Sequence, residues 1–296
     1  MSFDLAEITR RIRALGTEIA PEAISGTAAL YAPYQEREPY SGVDVARDVF
    51  YGDNERHRLD VFRASAGPQA RPVMLFVHGG GFVGGDKRNA GSPYNDNVAL
   101  WAVRSGLLGV NMTYRLAPQH PWPAGAEDVA AAVAWLKENI AARGGDPRRI
   151  FVMGTSAGAV HVASYVAHRE FHRGGGAGIA GAVLMSGMYD LGEAPRSPMQ
   201  VAYFGTDPER YRRASTLAGL IDSKVPLLFV LTEMDPGDFQ RQGLGVLNAG
   251  FARRGRWPNM VYMLGHNHLS STMHLNTPDR FLGDRLLDFV GESAPV

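Results

Sequence analysis

The 296-residue chain has no cysteine, which excludes a disulfide framework, a thiolate metal site and a cysteine nucleophile. It has no excess of charge either. Thirty Lys and Arg balance thirty Asp and Glu without runs of one sign, which argues against nucleic acid or an anionic membrane surface as partner. No uninterrupted apolar stretch reaches the roughly 18 residues of a membrane span, and Met1 to Arg10 mix acids and bases where a signal peptide carries an apolar core. The expectation is a soluble, cytoplasmic protein acting on a small, largely neutral molecule. Zinc-site spacing and a Walker context for Lys87 are missing, so no metal or other cofactor is implied. There is no internal repeat or low-complexity segment; the 35 glycines cluster at turns.

What is present is organised around Ile150 to Ala159. A short apolar run ends in Gly154-Thr155-Ser156-Ala157-Gly158 and small, helix-compatible residues follow, which predicts strand, sharp turn and helix. Glycines two before and two after a serine suit such a turn, because a side chain there would strike the neighbouring strand or helix. The turn lifts Ser156 above the sheet edge. It also puts the N–H of Ala157 at a helix N-terminus, where partial positive charge can meet a developing oxyanion.

Along the chain, Leu5, Ile8, Ile12 and Leu15 predict an amphipathic helix over 4–16. The tyrosine-bearing segment 21–40 shows no clear period and is expected to lie on the body as an arm. Residues 45–51 and 57–62 read as a hairpin, and 72–77, 107–112, 150–153, 179–185, 225–231 and 260–264 as strands. Helices are expected over 92–105 with Ser92 as N-cap, 127–142, 157–172, 239–254 and 278–290. Alternating strands and helices imply an α/β fold with a mainly parallel sheet wrapped on both sides. One domain is expected over 1–296, with a small cap from the arm 1–40 and from 190–222, where prolines break the pattern.

In such sheets functional groups gather at the carboxyl ends of the strands. Four ends carry candidates. His78-Gly79-Gly80-Gly81-Phe82 follows Val77, Ser156 follows the elbow strand, Glu233-Met234-Asp235-Pro236 follows Leu231 and Thr232, and Gly265-His266-Asn267-His268 follows Leu264.

These motifs resemble the α/β-hydrolases, and within them the hormone-sensitive-lipase-like carboxylesterases. Ser156, Asp235 and His268 occur in the hydrolase order nucleophile, acid, histidine. His78-Gly-Gly-Gly81 matches the group's oxyanion motif, and Tyr114-Arg-Leu-Ala-Pro118 with Pro121-Trp122-Pro123-Ala124 matches a second characteristic stretch. There are departures. Thr155 stands where the group has Asp, Ala159 replaces a glycine, Gly237 replaces a leucine, and Gly265-His-Asn-His-Leu-Ser270 is also similar to feruloyl-esterase-like and formamidase-like hydrolases.

The resemblance implies a serine carboxylesterase for short-chain or aryl esters, working through an acyl-enzyme, with no cofactor. Ser156 would be the nucleophile, His268 the base and Asp235 its orienting acid. The N–H groups of Gly80, Gly81 and Ala157 would form the oxyanion hole, with His78 and Gly79 supporting that loop. His266 and Asp238 are the rivals for base and acid. Phe82, Tyr34 and Trp122 are candidates for the pocket wall, and Arg115 with Asp128 reads as an internal ion pair. The alternatives are an arylformamidase or amide hydrolase with the same triad, and a small-molecule receptor that has lost catalysis.

Overall fold

Alternation within one apolar run decides the layers. In Val73-Met74-Leu75-Phe76-Val77 the odd and even members belong to two different core clusters, and all are buried, as in a strand covered on both faces. The computed structural model describes residues 2–192, 194 and 196–296. The strands among them are β1 (Val43–Phe50), β2 (Arg58–Ala64), β3 (Arg71–Val77), β4 (Leu108–Met112), β5 (Gly145–Thr155), β6 (Gly181–Met185), β7 (Leu227–Met234) and β8 (Met260–Asn267). They form one sheet in the order 1-2-4-3-5-6-7-8. The β1–β2 and β2–β4 pairings are antiparallel and the rest parallel, so β3 and β5 lie in the middle.

At the start of the chain are α1 (Leu5–Ala14) and α2 (Pro21–Tyr31); α3 (Asp96–Arg104) follows β3 and α4 (Ala124–Asn139) follows β4. After the elbow come α5 (Ala157–Ala167), then α6 (Pro198–Phe204), α7 (Pro208–Ala214) and α8 (Leu217–Asp222). The chain continues through α9 (Gly237–Arg254), α10 (Ser270–Met273) and α11 (Phe281–Glu292). Residues of α3 and α11 bury Met74, Phe76, Phe151 and Met153 on one face of the sheet. On the other, α4, α5, α8 and α9 bury Val73, Leu75, Val77, Ile150 and Val152. Among the described residues no helix is long and apolar enough to cross a membrane.

Three local expectations are corrected. Ser92 does not cap a helix over 92–105: its hydroxyl closes a turn by accepting from the Tyr94 N–H at 3.3 Å. The helix starts at Asp96, after Asn95 at φ 71°, whose side chain is drawn to the Asp86 carbonyl instead. Segment 21–40 is not aperiodic, since Ala23, Thr27, Leu30 and Tyr31 form a buried helical stripe in α2 that polar Thr27 disguises. Strands β7 and β8 each run three residues past the expected end, because the ladder resumes at Met234 with Asn267 after a register shift. Asp235 and His268 are therefore the first residues beyond paired strand.

Both segments expected to form a cap pack at this carboxyl edge. The middle of the α1 stripe is core: Ile8 and Ile12 are buried with Leu30, Tyr31, Tyr94 and Met234, whereas Leu5 is exposed. From α6 and α7, Tyr203, Phe204 and Tyr211 bury Phe82, Ala157 and Val160.

Candidate active site

The serine turn is as sharp as its glycines suggest. Ser156 has φ 54° and ψ −122°, a backbone state that side-chain-bearing residues rarely hold, and its N–H donates to the Met185 carbonyl at 2.9 Å. A Cβ on Gly154 would overlap the Gly158 carbonyl, and one on Gly158 would overlap the carbonyls of Val77 and His78. β3, the turn and α5 thus pass at backbone contact. The side chain of Ser156 is half-buried.

The glycine loop after β3 curls beside it. Gly80 and Gly81 have φ of 130° and 60°, and their N–H groups donate to no protein acceptor among the described residues. The Ala157 N–H, first in α5, has no intrahelical acceptor by its position. His78 fastens the loop: its Nδ1 lies 2.6 Å from the Gly79 carbonyl and must therefore donate, and the Tyr114 ring stacks on it at 4.3 Å. The Tyr114 hydroxyl donates to the His78 carbonyl at 2.8 Å. Burial pushes the His78 imidazole down to about 4, so it stays neutral. These contacts tie His78 to the glycine loop and to Tyr114.

Asp235 has no solvent exposure and three partners. Its Oδ1 meets His268 Nδ1 at 2.7 Å, and Oδ2 accepts from the Thr232 N–H at 2.8 Å and the Ser186 hydroxyl at 2.7 Å. His268 Nε2 is buried and has no hydrogen-bond partner among the described residues, and the Phe239 ring lies 4.6 Å from the imidazole. The rivals are occupied elsewhere. His266 points at Ser270 Oγ (3.2 Å) and Asp279 Oδ2 (3.3 Å), and Asp238 pairs with Arg241 on the surface of α9.

The expected pocket aromatics fare differently. Phe82 is corrected: at 2% exposure, with its ring stacked on Tyr203 at 4.6 Å, it has almost no surface to offer a ligand and serves as the floor of the glycine loop. Tyr34 packs edge-on to Phe3 and donates to the Ser2 carbonyl, within the arm. Trp122 packs against the cluster of Phe82 and Tyr203, with His168 at 6.0 Å. Met199 of α6 lies over the glycine loop: a Cβ on Gly81 would overlap its sulfur, and Met199 remains 48% exposed.

Several residues escaped the sequence reading. Ser186 follows β6 at φ 47° and could have been found by extending the strand-end test to a fifth strand. Tyr203 carried no signal; its hydroxyl accepts from the Gly125 N–H at 3.1 Å and donates to His161 Nδ1 at 3.2 Å, tying α6 to α5. Burial lowers His161 to about 3. The Arg115–Asp128 pair is internal, as read, with Nε to Oδ1 at 2.7 Å, and His57 Nε2 joins it at 3.0 Å. Lys87 is buried against Asp48 and Asp60.

A family described as alpha/beta hydrolase fold matches residues 74–219 of the chain. Esterase LipC of Mycobacterium tuberculosis is 34% identical over 165 residues, covering 51% of this chain and 40% of that protein. Carboxylesterase NlhH of the same species is 48% identical over 88 residues, 29% of this chain and 26% of its own length. The chain thus matches less than half the length of these curated relatives. Among solved structures, an esterase from the bacterial hormone-sensitive lipase family superposes with a TM-score of 0.70 at 21% identity, covering 99% of both chains. Esterase B from Lactobacillus rhamnosis superposes with a TM-score of 0.72 at 18% identity, covering 97% of this chain and 95% of its own.

Proposed function

The chain is an α/β-hydrolase-fold protein, and from that premise we propose that it is a serine carboxylesterase acting on short-chain or aryl esters. The observation that carries this reading is an imidazole held through Nδ1 by buried Asp235 and left open at Nε2, at the same carboxyl edge of the sheet as the strained, half-exposed Ser156 turn. A serine hydroxyl alone is a poor nucleophile, and this arrangement supplies the missing base.

In the first half-reaction Ser156 Oγ attacks the ester carbonyl carbon while His268 Nε2 takes its proton. The carbonyl oxygen becomes an oxyanion facing the N–H groups of Gly80, Gly81 and Ala157. Collapse breaks the carbon–oxygen bond to the alcohol, which leaves with the proton from His268. Water then repeats the sequence on the acyl-enzyme and frees the acid and Ser156. Asp235 holds the productive tautomer and stabilises the imidazolium without itself being protonated. The segment 190–222 acts as the cap on the acyl or alcohol side, supported by Met199 lying over Gly81.

Chromogenic esters of graded acyl length, run beside an aryl formamide, test the substrate class. Short-chain ester turnover well above formamide turnover is expected; the reverse would make the protein an amide hydrolase. Ser156→Ala should leave a folded protein with almost no turnover, and retention of more than a few per cent would remove Ser156 from the reaction.

A further inference from the structure

His268 stands on a turn whose supports come from the other end of the chain. Asn267, just before it, is buried, and both polar atoms of its side chain are engaged. Its Oδ1 accepts from the N–H groups of Leu269 at 3.2 Å and Ser270 at 2.9 Å, which shapes the turn. Its Nδ2 donates to Thr27 Oγ1 at 2.9 Å. Thr27 lies on α2 with no solvent exposure and is the polar member of that helix's buried stripe. Gln35 of the same arm reaches the far side of the loop, where its Nε2 donates to the carbonyls of Met273 at 2.8 Å and Leu275 at 3.0 Å. Arg13 of α1 pairs with Glu233, whose carboxylate also accepts the Gly265 N–H at 2.6 Å. The arm therefore grips the ends of both β7 and β8, the strands that deliver Asp235 and His268.

We infer that the N-terminal arm is a positioning element for His268 and that Thr27 is its principal contact. The inference rests on the reading of His268 as the base. The Asp235 bond fixes where Nδ1 points, but the position of Nε2 also depends on the backbone carrying the ring, and the Asn267 turn sets that backbone. Without the Thr27 oxygen, Asn267 Nδ2 becomes a buried donor with no acceptor. Its side chain must then turn to find one, which moves Oδ1 away from the two N–H groups it organises. A displacement of about 1 Å at a reacting group can cost on the order of 10²-fold in rate. Thr27 is buried beneath the loop, so the loss falls on kcat and leaves KM in place.

The test compares wild type with Thr27→Val, Thr27→Ser and Gln35→Met. Valine keeps the shape of threonine without its oxygen, and serine restores the oxygen. Each protein is assayed with 4-nitrophenyl acetate for kcat and KM, and with a fluorophosphonate for the rate of labelling at Ser156; folding is followed by circular dichroism. Thr27→Val should lose roughly 10- to 100-fold in kcat and in labelling rate with KM within about twofold, and Thr27→Ser should recover most of it. If Thr27→Val does not accumulate folded, Gln35→Met carries the same expectation of a loss confined to kcat. Wild-type kcat in folded Thr27→Val, or in Gln35→Met standing in for it, overturns the inference, as does Thr27→Ser impaired as deeply as Thr27→Val. Failure of the site reading itself looks different, because wild type would then neither hydrolyse the ester nor label at Ser156.

Discussion

Asp235→Asn tests the candidate triad most sharply, because the surroundings of the carboxylate dictate how the amide must sit. Oδ2 receives the Thr232 N–H and the Ser186 hydroxyl, and a backbone N–H can only donate. The asparagine oxygen is therefore forced to that side, and its NH2 group faces His268 Nδ1 across the 2.7 Å contact. A donor there obliges Nδ1 to accept, so the ring proton moves to Nε2, the atom that has to take the serine proton. Such a tautomer error costs a triad about 10⁴ in kcat, or about 5 kcal/mol of transition-state stabilisation. Ser186→Ala removes one of the two donors but leaves Thr232 in place. A hydrogen bond to a charged group contributes about 1.5–3 kcal/mol, so a loss of roughly 10- to 100-fold is expected. In the double variant Ser186→Ala should add little to Asp235→Asn, since Thr232 alone still fixes the amide. Steady-state hydrolysis of 4-nitrophenyl acetate on proteins checked for native melting gives all three numbers. More than about 1% of wild-type kcat in Asp235→Asn would refute the tautomer argument, and so would a larger loss in Asp238→Asn or Asp279→Asn.

His268→Ala should abolish turnover while His266→Ala lowers it modestly through the Ser270 and Asp279 contacts; the opposite ranking in the same assay would transfer the base to His266. Acid should destabilise the fold through three buried neutral histidines, His78, His161 and His274, which burial holds at about 4, about 3 and about 4. Each is depressed below the unfolded value of about 6.5, so the unfolded chain binds more protons. Stability is full above that pH and falls as pH drops towards 4, by up to about 4 kcal/mol per pH unit for the three together. Urea unfolding at pH 7.5, 6 and 5 measures it, and a flat free energy down to pH 5 would mean these rings are solvated or paired.

What the sequence made legible was whatever sterics write into residue identity. The elbow could be read because only glycine tolerates the backbone approach of Val77 to position 158 and of Gly158 to position 154. The strand layers could be read because their alternation is apolar throughout. The arm's second helix could not, because the one residue that interrupts its stripe, Thr27, faces an asparagine 240 positions away rather than water. The last residues of β7 and β8 were hidden for a similar reason: Glu233, His266 and Asn267 are polar yet paired or buried. Ser186 is marked only by its place just after β6, and its partner becomes visible only when β6 and β7 lie side by side.

The dependence of the histidine loop on α2 bears on how the molecule matures on the ribosome. Residue 27 leaves the exit tunnel long before residue 267, and at synthesis rates of about 5–20 residues per second the interval is roughly 12–50 seconds. For all but about its last few seconds, Ile8, Ile12, Leu30 and Tyr31 lack the Met234 contact that completes their cluster. The nascent chain thus carries an incompletely covered apolar N-terminal segment for most of its synthesis. Esterase activity should appear only after α10 emerges, and nascent chains stalled before residue 270 should be inert even though the serine elbow has already been made.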